Sequence, residues 1–167
     1  MISISRAEDQ EDFEVAERFC RALAEWDAIE VQAYGVAPEV VLGIFHGETT
    51  EGLRQKFTAD DACMLIARWD GHPAGCIAFS PFDETAVEIH KFYVDPEFRG
   101  RKIGQALMRA LLAEIEKGKS GKIVLQTTIY MSHAISLYEA FDFRRCEQFR
   151  PIPDEIRHTE VFMSRLL

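Results

Sequence analysis

The segment Tyr93-Val94-Asp95-Pro96-Glu97-Phe98-Arg99-Gly100-Arg101-Lys102-Ile103-Gly104-Gln105-Ala106 constrains the fold of this chain more than any other. An apolar strand over 87–94 runs into Pro96, which cannot donate to a sheet ladder and therefore ends it. A basic, glycine-containing turn follows. From about 100 to 117, Ile103, Leu107, Ala110, Leu111 and Ile115 recur at helical spacing, and Gly118 and Gly121 stop the helix. A helix start leaves backbone N–H groups unpaired and carries the positive end of the helix dipole, so it suits an anion. Gly100 and Gly104 remove side chains where a ligand would approach. Arg99, Arg101, Lys102 and Arg109 put four positive charges into eleven residues that hold no acid. The pattern points to a phosphate-bearing ligand, against the plainer alternative of a solvated basic turn. It is neither a Walker A loop, because the GK[ST] ending is missing, nor a GxGxxG fingerprint.

Around this unit the chain alternates strands and helices without repeats or a long linker. A strand is expected over 2–5, and a helix over about 8–27 from the spacing of Phe13, Ala16, Phe19, Cys20, Leu23 and Trp26. Ser5-Arg6-Ala7-Glu8 and Asp9-Gln10-Glu11-Asp12 both read as helix starts. Residues 38–58 predict one or two short helices, interrupted near His46-Gly47. Strands over 64–69 and 75–80 flank Asp70-Gly71-His72-Pro73, a hairpin signal. The near-continuous apolar run 123–128 reads as a strand buried on both faces. A helix over 132–141, a strand over 143–148, a break at Pro151 and Pro153, and a last strand over 160–165 complete an α+β order with a mixed sheet. A length of 167 residues predicts one domain, 1–167.

Charge sharpens the picture. The net charge is −9, and residues 1–51 carry all of it, with twelve acids against Arg6, Arg18 and Arg21. The remainder is neutral overall, so the chain lacks the broad basic surface of a nucleic-acid binder. No apolar run approaches the roughly 18 residues of a membrane span, and the first residues lack the apolar core of a secretory signal. Cys20, Cys63, Cys76 and Cys146 form no CxxC pair, and His46, His72, His133 and His158 have no metal spacing. The expectation is a cytoplasmic protein with reduced thiols and no metal.

With these residues in view, the sequence resembles the GCN5-related N-acetyltransferase (GNAT) superfamily. The family loop Arg/Gln-x-x-Gly-x-Gly/Ala is matched by Arg99-Gly100-Arg101-Lys102-Ile103-Gly104, with Lys102 where the middle glycine usually stands. That substitution requires Lys102 to adopt a helical conformation. Ala134-Ile135-Ser136-Leu137-Tyr138-Glu139-Ala140-Phe141-Asp142-Phe143 is similar to A-I-x-L-Y-x-x-x-G-F, with Asp142 replacing a glycine at a left-handed helix cap. Met131 stands where the family often has an asparagine. Glu88-Ile89-His90-Lys91-Phe92-Tyr93-Val94 resembles the cofactor strand, so the likeness covers about 86–145.

The resemblance implies a mixed, largely antiparallel central sheet of six to seven strands flanked by about four helices. It also implies acetyl-CoA as co-substrate of an N-acetyltransferase. Cofactor contacts would fall on Phe92, Tyr93, Val94, Arg99, Gly100, Arg101, Lys102, Ile103, Gly104 and Gln105. Within that set, the Phe92 N–H would serve the thioester oxygen, and Tyr93 and Val94 the pantetheine arm. Tyr138 would be the general acid, its alternative role being to pack a helix face with Ala134 and Phe141. Glu88 and His90 share a strand face, and Glu88, His90 or a water could be the base. Cys76 and Cys146 read as small core residues, since direct transfer needs no nucleophile.

The acceptor is expected to be a small-molecule amine meeting the acidic N-terminal third, where a cation would be drawn. The wet face of the first helix accounts for most of the acids (Glu11, Asp12, Glu14, Glu17 and Glu25), leaving a few between Asp27 and Glu51 as candidates. Trp26, Tyr34 and Phe45 could wall a pocket or a core. A protein or peptide N-acetyltransferase and a non-catalytic acetyl-CoA sensor are the alternatives. No nucleic-acid or membrane partner is expected, and a homodimer is compatible with the reading.

Overall fold

The computed structural model describes residues 1–167. Seven strands form a single sheet: β1 (Ile2–Arg6), β2 (Cys63–Trp69), β3 (His72–Pro81), β4 (Ala86–Val94), β5 (Lys122–Thr128), β6 (Arg144–Arg145) and β7 (Glu160–Leu166). Their spatial order is β1-β2-β3-β4-β5-β7-β6, antiparallel throughout except for the parallel pair β4–β5. Five α-helices accompany them: α1 (Gln10–Glu30), α2 (Pro38–Phe45), α3 (Thr50–Phe57), α4 (Ile103–Ile115) and α5 (Ser132–Ala140). No helix is long and apolar enough to cross a membrane.

Strand β2 explains why the sheet is covered on both faces. Side chains alternate across a strand, and here both sets are apolar and buried. Cys63, Leu65 and Ala67 join the core made by Ile103, Leu107 and Leu111 of α4. Met64 and Ile66 join the opposite core, built on Phe13, Phe19 and Phe57 of α1 and α3. A third, smaller cluster around Val31, Val41, Ile156 and Phe162 ties α2 to the C-terminal segment.

The expected elements are all present, with informative shifts at their ends. Of the two N-terminal start signals the chain uses the second: Asp9 caps α1 by accepting a hydrogen bond from the Asp12 N–H at 2.9 Å. The interruption near His46-Gly47 separates α2 from α3, and Thr49 caps α3. The hairpin turn carries Asp70 and Gly71 at φ 48 and 84, which makes it a two-residue turn with both positions left-handed. The strand expected over 143–148 shrinks to Arg144–Arg145. After the Cys146 N–H bonds the Phe162 carbonyl, the chain leaves the sheet, with Gln148 donating to the Arg150 carbonyl ahead of the two prolines. Helix α4 starts at Ile103, later than the expected Gly100, because Gly100 (φ 78) and Lys102 (φ 60) are both left-handed.

Candidate active site

The parallel ladder between β4 and β5 ends early. Its registered pairs run from Ala86↔Lys122 to Glu88↔Val124, yet β4 continues to Val94 and β5 to Thr128. Beyond Glu88 the two strands splay, and a cleft of about 170 Å³ opens between them.

A bulge shapes the β4 wall. Its register with β3 shifts between Cys76↔Tyr93 and Ala78↔His90, and Lys91 takes φ 55. The extra residue changes the parity of the strand: Val87 and Ile89 pack toward α4, and so do Phe92 and Val94. Cys76 Sγ lies 3.1 Å from the Lys91 carbonyl oxygen. Gly75, which no motif singled out, makes room for this arrangement, because a Cβ there would stand 2.6 Å from the Tyr93 carbonyl oxygen. A glycine inside a strand was the available signal for such a close approach.

Glu88 and Phe92, four residues apart on β4, and Tyr138 from α5, expected in three different roles, all line the cleft. Tyr138 projects from α5 and is buried between the rings of Phe92 and Phe143, each centroid 5.9 Å away. Burial alone pushes its phenol well above the ordinary tyrosine value. Glu88 is also buried, and both its carboxylate oxygens accept from the Arg150 Nη2 at 2.6 Å. Arg150 itself lies over the Phe149 ring, 5.1 Å from its centroid.

His90 Nε2 lies 2.8 Å from Ser80 Oγ and 3.8 Å from the Glu88 carboxylate. That carboxylate would favour an imidazolium, but Arg150 already occupies it. Burial, aided by the Lys56 and Arg150 charges, pushes the His90 pKa down to about 3, so the ring is neutral.

The helix start beyond β4 differs from expectation in detail. Lys102 is helical but left-handed (φ 60, ψ 21), so the loop turns through two left-handed residues in three. Gly104 sits against the strand: a Cβ there would lie 3.2 Å from Phe92 Cζ and 3.7 Å from Val94 Cγ2. Ile103 is buried in the core, which leaves only its backbone for a ligand, whereas Gln105 is exposed. Arg101 does not point freely outward; its guanidinium lies over Trp69 at 4.9 Å and Phe98 at 5.5 Å. Asp142 adopts the left-handed cap expected of it, at φ 69.

The opposite wall comes from the acidic third and the C-terminal segment. Asp27 is buried at the end of α1 and accepts from His46 Nε2 at 2.8 Å and from the Tyr130 hydroxyl. Tyr130 in turn packs against the tilted rings of Trp26 and Tyr34, which belong neither to the cleft lining nor to a buried core cluster, while Phe45 lines the cleft. Glu48 pairs with Lys91 across the opening. Cys20 also lines it, with burial raising its thiol pKa to about 11. Met131 accepts from the Thr127 hydroxyl. Sequence reasoning missed Arg150, Lys91 and Tyr130 because their partners lie far along the chain. Cys146 is half-buried against the third cluster and so stands at the edge of a core.

Comparison with known proteins finds relatives in sequence and in fold. Residues 19–143 match the model of the Acetyltransferase (GNAT) family. An uncharacterized N-acetyltransferase of Schizosaccharomyces pombe is 33% identical over 106 residues, covering 61% of this chain and 65% of that protein. The N-acetylaspartate synthetase of Danio rerio is 34% identical over 85 residues, which is 50% of this chain and 30% of that protein. The chain thus spans less than two thirds of the length of either relative. Among solved structures, the PaiA N-acetyltransferase of Thermoplasma acidophilum in complex with coenzyme A superposes with a TM-score of 0.77 at 18% identity. The match covers 100% of this chain and 99% of that one.

Proposed function

This chain belongs to the acetyltransferase (GNAT) family, and from that premise we propose that it transfers the acetyl group of acetyl-CoA directly to the amine of a small molecule. One observation carries the reading: Glu88, Phe92 and Tyr138 line a single cleft at the β4–β5 splay, beside the glycine-bearing start of α4. When bound, acetyl-CoA supplies the activated thioester. The residues present fit it. Gly100 and Lys102 turn the loop through left-handed conformations, the N–H groups of residues 100–102 donate to no backbone carbonyl, and Gly104 keeps the helix start free of a side chain against β4. Past Glu88 the β4 edge has no β5 partner, which suits an extended chain laid along Tyr93 and Val94.

The transfer forms an N–C bond and breaks a C–S bond, so the amine must lose a proton and the departing sulfur must gain one. The Phe92 N–H supplies a fixed dipole for the thioester oxygen. Tyr138 holds the proton for the sulfur. Its raised pKa does not disqualify it, because a thiolate in the same buried cleft pays a similar desolvation cost. Glu88 takes the proton from the amine, directly or through water. Arg150 now satisfies its carboxylate, and an incoming ammonium replaces one cation with another at that position. Neutral His90 borders this exchange without a charge of its own.

The test follows CoA thiol release and acetylated product together, with acetyl-CoA and a panel of small amines and short peptides. The reading expects stoichiometric release and product with at least one small amine. Release with peptides alone would move the acceptor to the protein class, and tight acetyl-CoA binding without turnover on any acceptor would leave a sensor.

A further inference from the structure

Four carboxylates line the cleft, and they are not equivalent. Glu88 is neutralised by Arg150, and Glu48 by Lys91. Asp27 and Glu160 have no Lys or Arg partner. Asp27 is held by the Tyr130 hydroxyl and the His46 imidazole. Glu160 accepts from Gln126 Nε2 at 2.7 Å and from the Thr159 hydroxyl at 3.2 Å. Burial first, and then the charge of Asp27, push the Glu160 carboxyl above its ordinary value. Two like charges thus share one end of the cleft, Asp27 buried and Glu160 partly so, an arrangement that costs free energy until a cation joins it.

A second observation points to what is missing. Thr128 is 6% exposed, lines the cleft, and pairs across the ladder with Glu160. Its hydroxyl approaches the Tyr130 phenol, which donates to Asp27, but the contact is too long or too oblique to be a hydrogen bond. Two residues earlier on the same face of β5, Gln126 Oε1 is also buried without a donor. The amide orientation is fixed, because the opposite one would set its oxygen against the Glu160 carboxylate. Buried polar atoms in native structures are nearly always satisfied, so this unpartnered pair marks a place for a ligand's donors.

Resting on the N-acetyltransfer reading, we propose that Asp27, Glu160, Gln126 and Thr128 form a subsite for a second ammonium group, so that the acceptor is an aliphatic diamine. One nitrogen of the acceptor is acetylated beside Glu88 and Tyr138. The other stays protonated and gives its N–H donors to the two carboxylates and to Gln126 Oε1. The neutralised pairs Glu88–Arg150 and Glu48–Lys91 leave this as the end of the cleft whose carboxylates meet no lysine or arginine.

The experiment measures kcat/KM for diaminopropane, diaminobutane and diaminopentane against propylamine, butylamine and pentylamine, with aspartate as an anionic amine, using the full chain and acetyl-CoA. At least one diamine is expected to exceed its matched monoamine roughly tenfold or more, as charge-assisted hydrogen bonds allow. Asp27→Asn and Glu160→Gln bring that ratio toward one, chiefly through KM. Thr128→Val, nearly isosteric, lowers it less. Should the buried Asp27 variant fail to fold, the wild-type ratio and the Glu160 and Thr128 variants still decide. Equal efficiency for diamines and monoamines, or a preference for aspartate, overturns the diamine subsite and leaves acetyl transfer standing. No CoA release with any amine overturns both.

Discussion

The two walls of the cleft are built by different means. The β4–α4 side works through backbone: a bulge at Lys91, two left-handed residues at Gly100 and Lys102, and close packing at Gly75 and Gly104. The α1–α2 side and the C-terminal segment work through side chains that meet from remote positions. Tyr130 and Asp27 are 103 residues apart, Arg150 and Glu88 are 62, and Lys91 and Glu48 are 43. A backbone device serves a ligand common to a family, because any sequence that keeps the turn keeps the site. A side-chain network can be rewritten residue by residue, and it is where one member of the family can differ from another. On the proposed assignment, the β4–α4 wall therefore expresses membership of the family, and the opposite wall expresses individuality.

The sharpest attempt to break that comparison is Tyr138→Phe. The proposed mechanism expects this loss of a proton donor to lower the chemical step by about 10²–10⁴-fold, while acetyl-CoA affinity, assigned to the backbone wall, stays nearly intact. Rapid-quench turnover with calorimetric binding checks both, and unchanged chemistry would remove Tyr138 from the mechanism. Gly104→Val comes next. Its side chain must enter space 3.2 Å from Phe92, and acetyl-CoA binding should weaken by roughly 10–100-fold, as for an overpacked contact costing about 1–3 kcal/mol. Equilibrium titration with wild-type affinity would contradict the assignment of the helix start.

The glycine-bearing start of α4 was legible in the sequence because glycines, a proline and a basic turn act over a few residues. The Asp142 cap and the two-residue turn at Asp70-Gly71 were legible for the same reason. What local pattern did not carry was the bulge, since a lysine at positive φ has no sequence signature, or the ending of the β4–β5 ladder at Glu88. Arg150 lay beyond the matched motifs in a segment whose strand was expected to be longer. Its proximity to Glu88 depends on where the chain leaves the sheet after Cys146. Arg101, expected among the cofactor contacts, lies over the Trp69 and Phe98 rings, a packing that no local pattern signals.

Smaller effects refine the comparison. His90 has its pKa depressed in the folded state, so the unfolded chain binds the extra proton between the ordinary value and about 3. Stability is therefore greatest above the ordinary histidine pKa and falls as pH drops through that window, by on the order of 1–2 kcal/mol between pH 7 and 5. Urea midpoints at the two pH values should show it, and His90→Gln should flatten the dependence; an unflattened profile would mean that His90 is not buried neutral. The smallest change concerns the basic turn. Salt should weaken acetyl-CoA binding through Arg99 and Lys102, whereas Arg101→Ala should alter the salt slope little and cost about 0.5–1 kcal/mol of stability through its lost aromatic contacts. A slope that falls as much for Arg101 as for Arg99 would return Arg101 to the phosphates.

Hydrogen exchange read by mass spectrometry tests the division of the cleft most directly. Addition of acetyl-CoA alone is predicted to protect the amides of Phe92, Tyr93 and Val94 and those of residues 99–105, leaving residues 26–48 unchanged. Protection concentrated in residues 26–48, with the β4 edge and the start of α4 exchanging as before, would contradict the account.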